Sequence, residues 1–271
     1  MTGATAAVEI PRIQRRNAVV GAARDILAVA GRNLIAYWRV PQLLVFSTIQ
    51  PVIFVLLFRY VFGGAVSASL TVPYVDYLMP GIFVQTVVFG AIATAIGLAT
   101  DVKSGLLERF RSLPMARSAV LAGRTIADLI RNVFVVILMV AVGFAVGFRV
   151  HTNAWMLVLG MLLVLLFGYS LSWVFATLGL AVGDPETAQA AAFPVLAPLV
   201  FASSAFIPVD TMPGWLQGFA EHQPVSVTAS AVRALVLGGP TATYVLQSLA
   251  WCVGIVVVFA PVAVHRYRKT V

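Results

Sequence analysis

The chain has 271 residues, of which 61% are hydrophobic and 10% charged, with a formal net charge of +8 and a mean hydropathy of +0.97. That leaves too little polar surface to coat a water-soluble globule of this length, so the composition excludes a soluble enzyme or binding module and marks an integral membrane protein. The basic residues lie beside apolar blocks and not on a compact polar domain, which argues against nucleic acid as a partner and assigns them to anionic membrane lipids.

In chain order, residues 1–23 hold no sustained apolar face and read as a mobile cytoplasmic arm. Over 24–40, Ile26, Leu27, Ala30, Leu34, Tyr37 and Trp38 share one helical face, with Arg24, Asp25, Arg32 and Arg39 opposite. This predicts an interfacial helix that Pro41 ends. Six apolar stretches follow, about 43–62, 78–100, 126–148, 155–183, 188–208 and 244–264. Each has roughly the 20 residues a spanning helix needs, so 41–268 reads as one all-α, polytopic transmembrane domain. Arg12, Arg15, Arg16, Arg24, Arg32 and Arg39 precede the first stretch; Lys103, Arg109, Arg111, Arg117 and Arg124 lie between the second and third; Arg266, Arg268 and Lys269 follow the sixth. Basic residues resist translocation, which puts both termini in the cytoplasm of a multi-pass cell (plasma) membrane protein. The opposite loops carry only Arg149 and Arg233. The loop between stretches four and five, expected inside, holds Asp184 and Glu186 and no base, but acids weigh little in this rule.

The most patterned segment follows the second stretch. If 103–113 is helical, Leu106, Leu107, Phe110 and Leu113 form one stripe, Lys103, Glu108, Arg109 and Arg111 project elsewhere, and Pro114 stops it. A short amphipathic helix of this form docks into a groove on a partner, or else lies on lipid. Within the stretches, Asp128 lies four residues after Arg124 and three before Arg131, which suits structural ion pairs better than a substrate site. Arg59 is placed to snorkel, and the pairs Gly143 and Gly147, and Gly179 and Gly183, have the spacing of close helix packing. No Gly-rich loop precedes Lys103-Ser104 or Lys269-Thr270, so the chain is expected to bind no nucleotide and no cofactor of its own. His151, His222 and His265 lack ligand spacing, which argues against a metal site. No serine has an identifiable partner base, so no catalytic residue is expected and the chain is not an enzyme by itself.

Glu108-Arg109 followed by Leu113-Pro114, between the second and third stretches, is similar to the signature of ABC type-2 permeases. A second match is the run Pro208-Val209-Asp210-Thr211-Met212-Pro213-Gly214-Trp215-Leu216, then His222-Gln223-Pro224, then Ala231-Val232-Arg233-Ala234-Leu235 and Gly238-Gly239. It most resembles the daunorubicin-resistance-type exporter permeases of actinobacteria, and the resemblance covers about 40–268.

The resemblance implies that six helices form half of a membrane unit and that a second copy or a paralogue supplies the other half. Two cytoplasmic ABC ATPase subunits, using ATP and Mg, would drive it. Gly105, Leu106, Leu107, Glu108, Arg109, Phe110, Arg111, Leu113 and Pro114 would form the coupling helix seated on the ATPase, with Asp184 and Glu186 giving a smaller second contact. The region 208–240 would form two short re-entrant outer helices; Pro213 and Pro224 are placed to start them and Gly238-Gly239-Pro240 to break the second. Cargo would pass along the first, second and fifth stretches, which makes Gln50, Phe54, Gln85, Phe89, Phe201 and Ser204 cavity candidates. Interhelical hydrogen bonds and lipid-facing aromatics are the alternative for each. The function implied is the permease subunit of an ATP-driven exporter of amphipathic cargo, a drug, a lipid or a lipid-like metabolite. The alternative, a gradient-driven carrier or channel, is disfavoured because no midplane carboxylate and no internal repeat is evident.

Overall fold

The computed structural model describes residues 18–39, 41–66, 72–111 and 117–270, and every regular element among them is a helix. Most of the expected arm, together with Leu113 and Pro114, lies outside the described residues. Four helices are long and apolar enough to cross a membrane: Tyr74–Lys103, Val120–Ala145, Ala154–Val182 and Thr241–Lys269.

Helix α8 (Ala154–Val182) is the pillar of the bundle. It is apolar all round, as a helix that divides its surface between protein and lipid must be, and it touches α12 (Thr241–Thr270), α11 (Pro224–Leu237), α9 (Pro185–Phe201), α7 (Arg117–Ala145), α5 (Ile92–Lys103) and α4 (Tyr74–Gly90). Its ends are written locally. The Asn153 side chain accepts the Met156 N–H at 2.9 Å, and Gly183 closes the other end at φ +70°, a left-handed cap that costs a residue with a Cβ about 1 kcal/mol. Of the glycine pair expected to pack, only Gly179 does: a Cβ there would lie 2.3 Å from the Ala95 carbonyl oxygen. Gly147 likewise has φ +101° and open space around it, whereas Gly143 meets Met79 and Phe148. In both pairs the second glycine serves backbone geometry and the first serves packing.

The first apolar stretch is α2 (Pro41–Leu56), a π-helical turn over Leu57–Phe62 and α3 (Gly63–Val66). The second breaks at Ala91 between α4 and α5. The fifth, expected to reach 208, is helical only to Phe201. Two prolines, Pro194 and Pro198, lie inside α9, and beyond it the Ser203 hydroxyl donates to the Val200 carbonyl and accepts the Ala205 N–H at 3.1 Å. Serine hydroxyls compete in this way for the backbone groups that would extend the helix. A 3-10 turn at Val209–Thr211 and α10 (Gly214–His222) then lead into α11.

Helix α1 (Ala18–Arg39) packs along α7. Its inward face is Val29, Ala30 and Asn33, pressed onto Gly123, where a Cβ would lie 2.7 Å from that of Val29. This departs from the expected face: Leu27 is 68% exposed, while Arg32, expected on the wet side, reaches Asp101 of α5 at 3.6 Å. The side chains of Tyr37 and Trp38 lie outside the described residues. A helix docked on a bundle has two apolar faces, one toward protein and one outward, and a single-face reading merges them.

Candidate functional site

The coupling segment begins where α5 ends. Ser104 and Gly105, the latter at φ +67°, turn the chain into α6 (Leu106–Arg111). Leu107 does not face a partner as the stripe suggested. It is 2% exposed and packs in one cluster with Leu98 of α5, Val120 and Leu121 of α7, and Tyr267 of α12. A six-residue helix cannot hold its own geometry in water, and this one is fixed by a buried leucine. Leu106 is half-buried and Glu108 exposed. The side chains of Arg109, Phe110 and Arg111 lie outside the described residues, as do Leu113 and Pro114.

Three ion pairs anchor the base of α6. Asp101 stands between Arg32 of α1 at 3.6 Å and Arg124 of α7 at 4.0 Å. Lys103 donates to Asp184 at 2.7 Å, joining the two segments expected to touch the ATPase although they are 81 residues apart. Asp184 is also the N-cap of α9, accepting the Thr187 N–H at 3.0 Å and the Thr187 hydroxyl at 2.9 Å. The Lys103 hydrogen bond first, and the two from Thr187 next, hold its carboxyl at about 2.

That pKa lies below the unfolded carboxylate value, so the contribution is fully present above pH ~4 and lost only as the pH falls through about 2. The Lys103–Asp184 contact is therefore expected to be constant between about pH 5 and 8. The distance between spin labels at positions 106 and 187, measured across a pH series, checks this; a distance that changes over that range contradicts it.

A polar seam runs between the broken helix α4–α5 and α7. Thr94 donates to Asp128 at 2.6 Å, and Asp128 pairs with Arg124 at 3.7 Å. Arg124 also donates to the Ala93 carbonyl at 3.2 Å. Arg131, grouped with them in the sequence, donates to the Gly90 carbonyl at 2.7 Å and to Asn132 at 3.1 Å. Arg124 and Arg131 thus reach carbonyls on either side of Ala91, where α4 passes into α5.

The cavity candidates divide. Phe54 and Phe201 face each other at 6.3 Å, and with Phe58 and Phe206 they build an aromatic patch in which Phe58 stacks on Phe206 at 4.4 Å. Gln50 and Phe89 are half-exposed. Gln85, at 1%, and Ser204, at 5%, are buried in the protein interior, so they line no opening shared with the others.

Ser204 is occupied by a residue the sequence reading left in an outer loop. Arg233 is buried. Its Nε donates to the Tyr77 carbonyl at 2.9 Å, Nη1 to the Ser204 hydroxyl at 3.2 Å, and Nη2 to the carbonyls of Ser204 and Ala205. Its guanidinium lies 3.7 Å from the centre of the Tyr77 ring. Arg233 thus ties α4, the segment after α9 and α11 together. The one available signal was its position among the apolar residues of the run 231–235.

The profile of the ABC-2 type transporters matches residues 24–237. The chain belongs to that family. It is 38% identical over 240 residues to the daunorubicin resistance ABC transporter permease protein DrrB1 of Streptomyces coeruleorubidus, covering 88% of this chain and 84% of that one. It is 27% identical over 223 residues to a probable doxorubicin resistance ABC transporter permease protein, DrrC, of Mycobacterium tuberculosis, covering 82% and 80%. It is 28% identical over 218 residues to a putative transport permease of Pyropia yezoensis, covering 78% and 74%. This ABC-2 type chain is accordingly an integral membrane transport component, a permease and not an enzyme.

Proposed function

We propose that the chain is the membrane half of an ATP-driven exporter that moves an amphipathic drug, lipid or lipid-like metabolite out of the cytoplasm or inner leaflet. The observation that carries this reading is the Lys103–Asp184 bond at 2.7 Å, because it ties the end of α5, which leads into α6, to the α8–α9 turn as one charged platform beside the Asp101 anchor. A platform built from two distant loops suits a partner that pushes on both at once. In this reading the partner is an ABC ATPase, which holds the ATP and Mg; Leu106, Glu108, Arg109, Phe110, Arg111, Asp184 and Glu186 meet it. Leu107 acts from inside as the anchor. The relatives named for daunorubicin and doxorubicin resistance support amphipathic cargo.

The proposed topology has six spans, formed by α2 to α3, α4 to α5, α7, α8, α9 and α12, with both termini cytoplasmic. Helices α10 and α11 are short, begin after Pro213 and at Pro224, and suit a re-entrant outer hairpin. A second copy or a paralogue completes the path, with Phe54, Phe201, Phe89 and Gln50 toward it.

Vesicles containing the permease alone are expected neither to hydrolyse ATP nor to accumulate an amphipathic cargo, and adding the cognate ATPase should produce both activities. Substitution of the phosphate-binding lysine of that ATPase should abolish transport with the proton gradient intact. Cargo movement by the permease alone that stops when the gradient collapses would replace this reading with a gradient-driven carrier.

A further inference from the structure

Between α11, α12 and the segment that joins α9 to α10 lies a groove of about 1080 Å3. Tyr244, Gln247 and Trp251 of α12 line it, and they fall about 5 to 15 Å along the axis from Thr241, the first residue of a helix long enough to cross a membrane. That is the depth of phospholipid headgroups and upper acyl chains, where Tyr and Trp rings concentrate. All three side chains are exposed, and little of the apolar part of α12 is buried in the bundle. The α12 wall of the groove therefore opens toward lipid.

The α11 wall carries donors. Ser230 and Arg233 are three residues apart, so they share a helix face, and both line the groove. The Ser230 hydroxyl is half-buried and makes no hydrogen bond among the described residues. Arg233 commits four of its five N–H donors, one to the Tyr77 carbonyl, one to the Ser204 hydroxyl and two to the carbonyls of Ser204 and Ala205, which leaves one Nη1 N–H. Every one of those acceptors is neutral. The buried guanidinium thus keeps its full positive charge, with no carboxylate at ion-pair distance among the described residues. A buried cation held only by dipoles is stabilised further by an anion at its open N–H.

The exposed part of the lining has the opposite sign, since Asp210 and Glu221 belong to it. A net anion gains at Arg233 and loses at these two acids, whereas a headgroup that carries both a phosphate and an ammonium suits both. A quaternary ammonium has the charge but no N–H to give a carboxylate. We propose that this groove holds a resident phosphatidylethanolamine molecule. Its phosphate accepts from the Ser230 hydroxyl and the remaining Arg233 Nη1 N–H, its ammonium faces Asp210 and Glu221, and an acyl chain runs along Leu237 and Trp251. The lipid is a bound partner and not cargo, so the site stands whichever cargo the permease moves.

The test is native mass spectrometry of the delipidated full chain in a neutral maltoside detergent, titrated with dioleoyl phosphatidylethanolamine, phosphatidylcholine and phosphatidylglycerol. One phosphatidylethanolamine is expected to be retained, with an affinity about tenfold above that of the other two lipids. Asp210→Asn with Glu221→Gln should erase the preference over phosphatidylglycerol, because the like charge that refuses it is gone. Ser230→Ala should weaken phosphatidylethanolamine by about threefold and leave the preference in place. These side chains are exposed or half-buried, so the variants should fold, with an unchanged melting temperature as the check. Equal or reversed affinities in the parent, or a preference over phosphatidylglycerol that survives in the double variant, overturns the proposal. Glycerophosphoethanolamine, the same headgroup without acyl chains, should not displace the lipid; displacement would reassign the groove to a soluble phosphate ester.

Discussion

Glu108→Lys leaves the permease inserted at its normal level and removes its ATPase from the purified complex: that is the expected result of reversing the one described exposed charge on α6. Leu107 is locked into the Leu98, Val120 and Leu121 cluster, which fixes the rotation of the helix, and Glu108, about 100° further round, is held in the open. Truncating or reversing one partner of an interfacial charge pair costs on the order of 2–5 kcal/mol, enough to weaken binding by roughly thirtyfold or more. Leu107→Ala should behave differently. It empties a buried site and should lower stability by about 2–4 kcal/mol, so it appears as reduced membrane expression and a lower melting temperature. Co-purification and melting measured on both variants separate docking from anchoring. Undiminished ATPase binding by the Glu108→Lys variant moves the coupling role to Asp184 and Glu186.

Arg233→Lys is expected to destabilise the permease by about 2–4 kcal/mol despite keeping the charge. The planar fork reaches carbonyls on two segments at once, Tyr77 on one side and Ser204 and Ala205 on the other. An ammonium on a flexible stem satisfies fewer of them and leaves buried acceptors orphaned. It also cannot stack on the Tyr77 ring as the guanidinium does. Arg149, whose guanidinium donates to the Phe144 and Phe148 carbonyls next to it in sequence, is the control, and Arg149→Lys should cost under about 1 kcal/mol. Thermal melts of the three proteins in one detergent decide this. Equal stability of Arg233→Lys and the parent would mean that the hub carries no energetic weight.

The helices themselves were readable along the chain because their determinants are local. The apolar stretch 155–183 coincides with α8 to within a residue, since a long apolar run, Asn153 at one end and Gly183 at the other act over one turn. The starts after Pro213 and at Pro224 rest on the same short-range chemistry. Periodicity also placed Leu107 on an apolar stripe, but a stripe does not name its neighbour, and the bundle claimed this leucine before any partner could. Phe201 ends α9 earlier than hydropathy suggested because serine hydroxyls and prolines decide a helix end where average apolarity does not.

Composition and basic-residue distribution by themselves determined that this is a helical membrane protein with a patterned basic loop, because hydrophobic transfer and charge placement act residue by residue. The tertiary structure alone decided which distant groups meet. Lys103 finds Asp184, Asp101 gathers Arg32 and Arg124, and Arg233 closes on Tyr77, Ser204 and Ala205. The physical reason is that the free energy of a charge depends on the dielectric and the partners around it, and for a buried charge these come from parts of the chain that are neighbours only after folding.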